Sequence, residues 1–288
     1  MRALLVVNPQ AGRRYGPRVE NDVARTLGAA GYAVEIHRTA SPGEATAAAR
    51  AAAAGGAQAV FALGGDGTVR EVAAGLLGSA TALGVLPAGT TNVVAIGLGL
   101  PGEPRAAAAA MANAEQREMD VGLAGGEPFL MQATAGFDAY IMGRLGGEAK
   151  ARFGKGAVAW QALGGWLRYG FPEIELTADG ESYRATHVAV CNMAHYAGRY
   201  LLAREARWDD GRLDLRLFSG RGRGAALFSA CRLWLDRDDP RARAFAIDRV
   251  TITGPAGASL QIDGDPLRLA LPVAIALSPH RLRVLVPR

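Results

Sequence analysis

Short apolar runs alternate with amphipathic stretches through the first 120 residues, and this alternation constrains the fold more than any other feature. Ala3–Val7 is continuously apolar, as expected of a strand buried on both faces. Val19, Val23 and Leu27 recur every four residues, so 17–30 reads as a helix with one apolar face. Tyr32–Ile36 alternates as a strand. Ser41-Pro42-Gly43-Glu44 places an N-cap Ser, a first-turn Pro and a Glu at the third position ahead of an Ala-rich helix to about Ala54. Ala59–Leu63 is a third strand, ending at Gly64-Gly65-Asp66-Gly67-Thr68. Thr68-Val69-Arg70-Glu71 has capping-box spacing and opens a helix whose apolar face is Val69, Val72, Ala73, Leu76 and Leu77. Leu83–Leu86 is a fourth strand, ending at Pro87-Ala88-Gly89-Thr90-Thr91-Asn92. Strands and helices alternating at this spacing imply βαβ units and a mostly parallel sheet.

The texture changes after about residue 120. Ile174–Leu176, Thr186–Val190, Leu213–Phe218, Val250–Thr253, Ser259–Ile262 and Arg281–Val286 read as strands. Asp210-Gly211, Gly254-Pro255 and Asp263-Gly264 mark turns between them. Helical patches are expected only near 155–169 and 224–235. The expected organisation is an α/β domain over 1–120 and a β-rich domain over 121–288, with the last strand free to return to the first domain. A length of 288 residues and 50% hydrophobic content suit two packed domains.

Residues 72–102 carry no charge, but Pro87–Asn92 would leave backbone groups unpaired in lipid, so a strand, a loop and a short helix are expected instead of a membrane span. The apolar start runs straight into Asn8-Pro9, which is not a secretory signal, and two cysteines make neither a disulfide framework nor a Cys-rich metal site. A reducing cytoplasm is the expected compartment. The net charge of +5 favours anionic partners without choosing among them. Basic residues are spread along the chain without an aromatic RNA-binding or helix-turn-helix signature, so nucleic acid is not an expected partner.

In a parallel sheet, ligands bind beyond the carboxyl ends of the strands. Three loops there have unusual composition: Asn8–Gly12, Gly64–Thr68 and Pro87–Asn92. Glycines let a backbone approach phosphate closely, and a following helix N-terminus offers N–H groups and partial positive charge. A Gly-rich loop alone often only makes its turn; three together point to a phosphate site. The Walker spacing and a G-x-G-x-x-G after a strand are both missing. Asp66 beside bound phosphates would be repulsive unless a cation or water intervenes, which suits Mg2+ with a nucleoside triphosphate.

Gly64-Gly-Asp-Gly-Thr68, followed by Pro87-x-Gly-Thr-x-Asn92, resembles the diacylglycerol kinase catalytic domain family, which includes bacterial lipid kinases and the sphingosine and ceramide kinases. Asn8-Pro9 with Gly12 is similar to that family's first nucleotide loop. Asp120-Val-Gly122 and Gly136-Phe-Asp-Ala139 are similar to its domain-junction segments. Asp209-Asp-Gly-Arg-Leu-Asp214 and Ile262-Asp-Gly-Asp-Pro266 resemble its later motifs. The resemblance implies an α/β fold with an N-terminal nucleotide-binding domain like those of phosphofructokinase and NAD kinase, a C-terminal β-sandwich, and an active site in the cleft. It implies that ATP phosphates lie on Asn8, Pro9, Gly12, Arg13, Gly64, Gly65, Asp66, Gly67, Thr68 and Arg70, with Thr39, Thr90 and Asn92 nearby. It further implies Asp265 as general base, with Asp66 also in a catalytic role. A structural Mg2+ would be held by Asp210 and by backbone oxygens of Arg207 and Arg212, with Asp120 in its polar network. Asp263-Gly264-Asp265 read alone is equally a hairpin turn, and Asp210 equally a β-turn.

Val93 stands where relatives that phosphorylate diacylglycerol usually have Asp, and Arg70 precedes Glu71 where Asn is common. The resemblance therefore implies a lipid hydroxyl as acceptor (diacylglycerol-like, phosphatidylglycerol-like or sphingoid) rather than diacylglycerol in particular. Partners implied are ATP, Mg2+ and a lipid at the inner membrane face; the oligomeric state stays open, a dimer included. The alternatives are an NAD kinase-like enzyme, which shares the G-G-D-G-T loop, and a catalytically silent nucleotide- or lipid-binding regulator.

Segment 144–171 sets Arg144, Lys150, Arg152, Lys155 and Arg168 beside Phe153, Trp160, Trp166, Tyr169 and Phe171. That mixture suits a membrane–water boundary; a helix packing its Trp face on the sandwich is the slightly preferred reading. Leu227, Phe228, Leu233 and Trp234 with Arg223 and Arg232 pose the same choice. His187 and His195 lack metal-ligand spacing and are expected to be structural or surface residues, and Cys191 an inert core thiol.

Overall fold

The continuous apolar runs near the N-terminus become strands with both faces buried. In a computed structural model, which describes residues 1–11, 15–144, 164–255 and 257–288, β1 (Arg2–Val7), β2 (Ala33–Arg38), β3 (Ala59–Gly64) and β4 (Ala82–Pro87) form the parallel part of one sheet. Every residue of β3 and β4 is buried. β5 (Ala114–Met119) and the last strand, β20 (Leu282–Pro287), complete the sheet in the order β2-β1-β3-β4-β20-β5. β20 runs parallel to β4 and antiparallel to β5. Met1–Met119 with Pro279–Arg288 form one unit, and Asp120–Ser278 a second.

Helices α1 (Pro17–Ala29), α2 (Glu44–Ala54) and α3 (Asp66–Leu76) connect the parallel strands. α1 buries Val19, Val23 and Leu27, the face expected from their spacing. Two helix starts differ from expectation. α2 begins at Glu44, not within Ser41–Gly43, because Gly43 takes a left-handed φ of 86°. Ser41 Oγ then donates to Glu44 Oε1 at 2.7 Å, and Ala40 N–H donates to Glu44 Oε2 at 2.7 Å, so both groups bind ahead of the helix. α3 begins at Asp66, two residues before the expected Thr68 cap. Glu71 accordingly accepts from Gly43 N–H at 3.0 Å instead of closing a capping box on Thr68. Gly75 lets α2 and α3 touch, since a Cβ there would fall 2.4 Å from the Thr46 carbonyl oxygen. The uncharged stretch 72–102 comprises the end of α3, β4, a loop and the short helix α4 (Val93–Gly97), as expected.

The second unit is a sandwich of two six-stranded antiparallel sheets. One contains β6 (Gly122–Ala124), β7 (Glu127–Phe129), β9 (Ile174–Ala178), β10 (Glu181–Ala185), β16 (Arg249–Gly254) and β19 (Val273–Leu277). The other contains β8 (Gln132–Ala135), β11 (His187–Cys191), β14 (Leu213–Phe218), β15 (Ala242–Ile247), β17 (Leu260–Ile262) and β18 (Asp265–Leu267). Their inner faces share one core that includes Phe129, Ile174, Leu176, Val188, Leu215, Ile252 and Ile275. β12 (His195–Tyr196) and β13 (Tyr200–Leu201) form a small separate ribbon.

Helices α5 (Pro104–Ala110) and α6 (Phe137–Arg144) were not expected from the sequence. α5 is nearly all Ala and so carries no periodic signal, although Glu103 caps it by accepting from Ala106 N–H at 2.9 Å. α6 is eight residues of mixed polarity, too short for a face to register. α7 (Gly222–Trp234) falls where the later helical patch is expected. Of the earlier patch, residues 164–168 are helical, and 155–163 lie outside the described residues.

Cys191 is fully buried in β11, and burial pushes its thiol up to about 12; Cys231 is exposed on α7. A thiol reagent at pH 8 is expected to modify one cysteine in the native protein and two in denaturant, with Cys231→Ser abolishing the native reaction.

Candidate active site

The loops after β1, β2, β3 and β4 share one edge of the sheet because those strands are parallel and in register. Asn8 ties the first loop to the third. Its N–H donates to the Leu63 carbonyl at 3.1 Å, its Nδ2 donates to Thr68 Oγ1 at 3.0 Å, and its Oδ1 accepts from Gln10 N–H at 2.9 Å. Thr39 anchors the second loop by donating N–H to the Val7 carbonyl at 2.9 Å. The loops after β3 and β4 pack backbone on backbone. A Cβ on Gly89 would lie 2.6 Å from Gly65 Cα, and one on Gly64 would lie 2.5 Å from the Thr68 side chain. Asn92, at a φ of 51°, folds its side chain back, with Oδ1 accepting from Gly89 N–H at 2.8 Å and Nδ2 donating to the Gly89 carbonyl at 3.1 Å. Asp66, first in α3, joins the two loops. Thr91 Oγ1 donates to its Oδ2 at 3.0 Å, and Val94 N–H donates to its Oδ1 at 3.1 Å.

Asn8, Thr39, Gly65, Gly67 and Thr68 line a cleft of about 370 Å³, together with Gln10, Ser41 and Glu71. That volume lies in the range of small-molecule sites. The N–H groups of α3's first turn have no partners within the helix and carry its positive dipole end, so the edge favours an anion. Pro9 is exposed on the first loop, Thr90 is exposed on the β4–α4 loop, and Arg70 is half-buried in α3. Gly12 and Arg13 lie outside the described residues. The sequence places Gln10 in the first phosphate loop but assigns Ser41 and Glu71 to helix caps, so those two are the cleft residues it misses. Val93 is 3% exposed and precedes the residue whose N–H binds Asp66. An acid there would add a second carboxylate to this packed turn.

In the sandwich, Asp263 and Gly264 are the two-residue turn of the β17–β18 hairpin, with φ of 51° and 84° as a type I′ turn requires. The Asp263 carboxylate is buried and accepts three N–H groups, from Leu130 at 2.7 Å, Met131 at 2.9 Å and Gln132 at 3.0 Å. The hairpin is thereby locked to β8, and Asp265, the first residue of β18, is held in register against Ile262.

A second cavity of about 150 Å³ lies within the sandwich unit. Its walls include Phe137, Phe171, Phe218, Leu202 and Leu233. Asp138, on α6, is the polar centre of this wall. Its Oδ2 accepts from Thr134 Oγ1 at 2.6 Å, Gln261 Nε2 at 3.3 Å and Tyr196 OH at 3.4 Å, and His187 Nδ1 lies 3.5 Å from its Oδ1. Burial, and then Asp138, raise the Tyr196 hydroxyl well above its usual value, so it remains a donor at neutral pH. The sequence marks Asp138 only as part of a junction segment and His187 as structural or surface. The α6 helix and the β11 register bring them together.

Asp120 is buried and accepts from Gly211 N–H at 2.6 Å, while its own N–H donates to the Trp208 carbonyl at 2.7 Å. Asn192 Nδ2 donates to the Asp120 and Leu130 carbonyls, and its buried Oδ1 receives no donor. Asp210 is exposed and accepts from Arg212 N–H at 3.1 Å. Burial, then Asp210 and Glu205, raise the carboxyl of Asp214. Carboxylate and carbonyl oxygens are the donor type that Mg2+ takes. Among the described residues no three His, Cys, Asp or Glu side chains converge on one point, so such an ion would draw on backbone carbonyls and water as well.

A model of the diacylglycerol kinase catalytic domain matches residues 2–124, and one of the YegS C-terminal NAD kinase beta sandwich-like domain matches residues 132–286. These matches define a kinase built from an α/β catalytic domain followed by a β-sandwich. The chain belongs to the diacylglycerol kinase catalytic domain family, with a C-terminal domain of the YegS type. It is 30% identical to a Pseudomonas putida protein named "Probable lipid kinase YegS-like", over 89% of this chain and 88% of the relative. It is also 30% identical to a Bacillus subtilis protein named diacylglycerol kinase, over 75% of this chain and 73% of that one. A crystal structure of a diacylglycerol kinase from Bacillus anthracis shares the fold, with a TM-score of 0.76, 23% identity, and coverage of 98% of this chain and 96% of that one.

Removing the Asp263 carboxylate leaves three buried N–H groups without an acceptor. Asp263→Ala is expected to lower unfolding free energy by at least about 2 kcal/mol in urea titration, with Asp263→Asn intermediate.

Proposed function

We propose that the protein is an ATP- and Mg2+-dependent lipid kinase that transfers the γ-phosphoryl group to a lipid hydroxyl. The observation that carries this reading is the largely apolar cavity beside Asp138 in a chain of a kinase family. Its mostly apolar surface suits an acyl chain better than the ribose and pyrophosphate of NAD, although Arg216, Arg237, Asp238 and Asp239 also line it. The three linked loops of the α/β unit favour an anion and suit the ATP phosphates.

The acceptor oxygen attacks the γ-phosphorus; one P–O bond forms, the bond to the β,γ-bridging oxygen breaks, and ADP departs. A lipid hydroxyl is a poor nucleophile at neutral pH, so Asp265 takes its proton as the new bond forms. N–H groups of α3's first turn and the loop glycines orient the phosphates. Each Asp66 oxygen accepts one hydrogen bond, from Thr91 and Val94, which fastens the phosphate loops together and leaves a lone pair on each oxygen for its catalytic role. Mg2+, when bound, offsets phosphate charge; at the second position, Asp210 with the Arg207 and Arg212 carbonyls would hold an ion that stiffens the turn beside Asp120. We further propose that the protein works at the cytoplasmic face of the membrane.

Incubation with labelled ATP, Mg2+ and fractionated membrane lipids is expected to label one lipid and leave NAD unlabelled. Asp265→Asn is expected to lose at least about 10²-fold in kcat. Labelled NAD, or full activity in the variant, would overturn the assignment.

The proposed second ion has a readout independent of activity. Saturating Mg2+ is expected to raise Tm, since a ligand at 100 times its Kd adds about 2.7 kcal/mol. Asp210→Ala should remove that part of the rise, and an unchanged response would argue against an ion at this turn.

A further inference from the structure

Helix α7 presents its apolar stripe outward. In a globular domain the residues at i, i+4 and i+7 of a surface helix normally face the core. Here Leu227 with Trp234, and Phe228 with Leu235, stand seven residues apart on one side, yet they are 52%, 67%, 42% and 56% exposed, and no residue of the helix is buried. The opposite face is not polar either: Ala226, Ala230 and Leu233 line the sandwich cavity. Leu167, 56% exposed, lies in the helical turn 164–168 that meets the start of α7. There Arg223 donates to the Trp166 carbonyl at 3.1 Å, and Trp166 Nε1 donates to the Arg223 carbonyl at 3.3 Å.

The charges on this helix have one sign. Residues 222–235 contain Arg223 and Arg232 and no acid. Both guanidinium groups are held by neutral carbonyls, Arg223 by Trp166 and Leu167, Arg232 by Asp238. The next acid, Asp236, is engaged by Arg204 at 2.8 Å. Two such helices paired about a two-fold axis would set Arg223 of one copy near Arg232 of the other, cation against cation. An anionic surface complements the same arrangement.

We infer that the outward face of α7, with Leu167, is a docking surface for an anionic lipid bilayer, lying in the interface with the leucines and Trp234 among the acyl chains and the arginines at the headgroups. No helix among the described residues is long and apolar enough to cross a membrane, so α7 lies on the bilayer. The inference deepens the lipid-kinase reading, because the helix that touches the bilayer also roofs the cavity assigned to the acyl chain.

The test is co-sedimentation of the full chain, without ATP, with phosphatidylcholine vesicles containing about a quarter phosphatidylglycerol, in about 0.1 M salt. The wild type is expected to pellet with these vesicles and to bind pure phosphatidylcholine less. The double variant L227D/W234D is expected to lose about tenfold or more in partitioning. Quenching of tryptophan emission by brominated lipid should be present in the wild type and reduced in W234F, which keeps the face apolar and decides the matter if the double variant does not fold. A wild type left in the supernatant, equal binding by L227D/W234D, or quenching unchanged in W234F would overturn the inference. So would a wild-type dimer that the double variant converts to monomer without changing vesicle binding. Vesicle binding through α7 with no lipid phosphorylated supports the docking surface and overturns the lipid-kinase reading instead.

Discussion

Gly65 and Gly89 bring two loop backbones together where a single added methyl group would collide, and the α/β unit's cleft depends on that approach. It lets the turns after β3 and β4 act as one body, which the two Asp66 hydrogen bonds then fasten. The glycines therefore have a packing role inside the protein before any phosphate arrives. A rigid, N–H-rich edge beside the free end of α3 is what an oriented triphosphate needs, because hydrogen bonds already in place cost little reorganisation when charge shifts.

The sandwich uses the complementary device, a buried anion inside backbone donors. Asp263 gathers the N–H groups of three consecutive residues, so the turn that precedes Asp265 cannot slide relative to β8 without exposing all three. The general base proposed for the reaction thus sits one residue beyond a clamped turn. Asp138 plays a similar part, drawing α6, β8, β17 and the Tyr196 ribbon around one carboxylate. In both places a carboxylate does structural work for its neighbours.

Legibility differed between the two units for a physical reason. A strand buried on both faces and a helix with one apolar stripe leave strong periodic traces, so β1, α1, β3 and α3 could be read nearly residue by residue. The starts of α2 and α3 could not, because Gly43 turning left-handed and Asp66 reaching to Val94 are decided by neighbours distant in the chain. α5 and α6 left no periodicity, one being nearly all Ala and the other too short. In the candidate site, the Gly-rich loops, Asp66 and Asp265 were visible as motifs. The cleft contributions of Ser41 and Glu71 were hidden by their resemblance to capping residues.

By itself the sequence determined the fold class and the family and marked the loops proposed to hold phosphates, since each of these is written in local spacing and residue type. Only the tertiary structure decided what those residues do. It turned Asp66 toward the β4–α4 loop, placed Asp138 beside His187 on a cavity wall, and left the apolar stripe of α7 facing outward. The reason is that spacing fixes which face of an element a side chain occupies, whereas long-range packing fixes what that face meets.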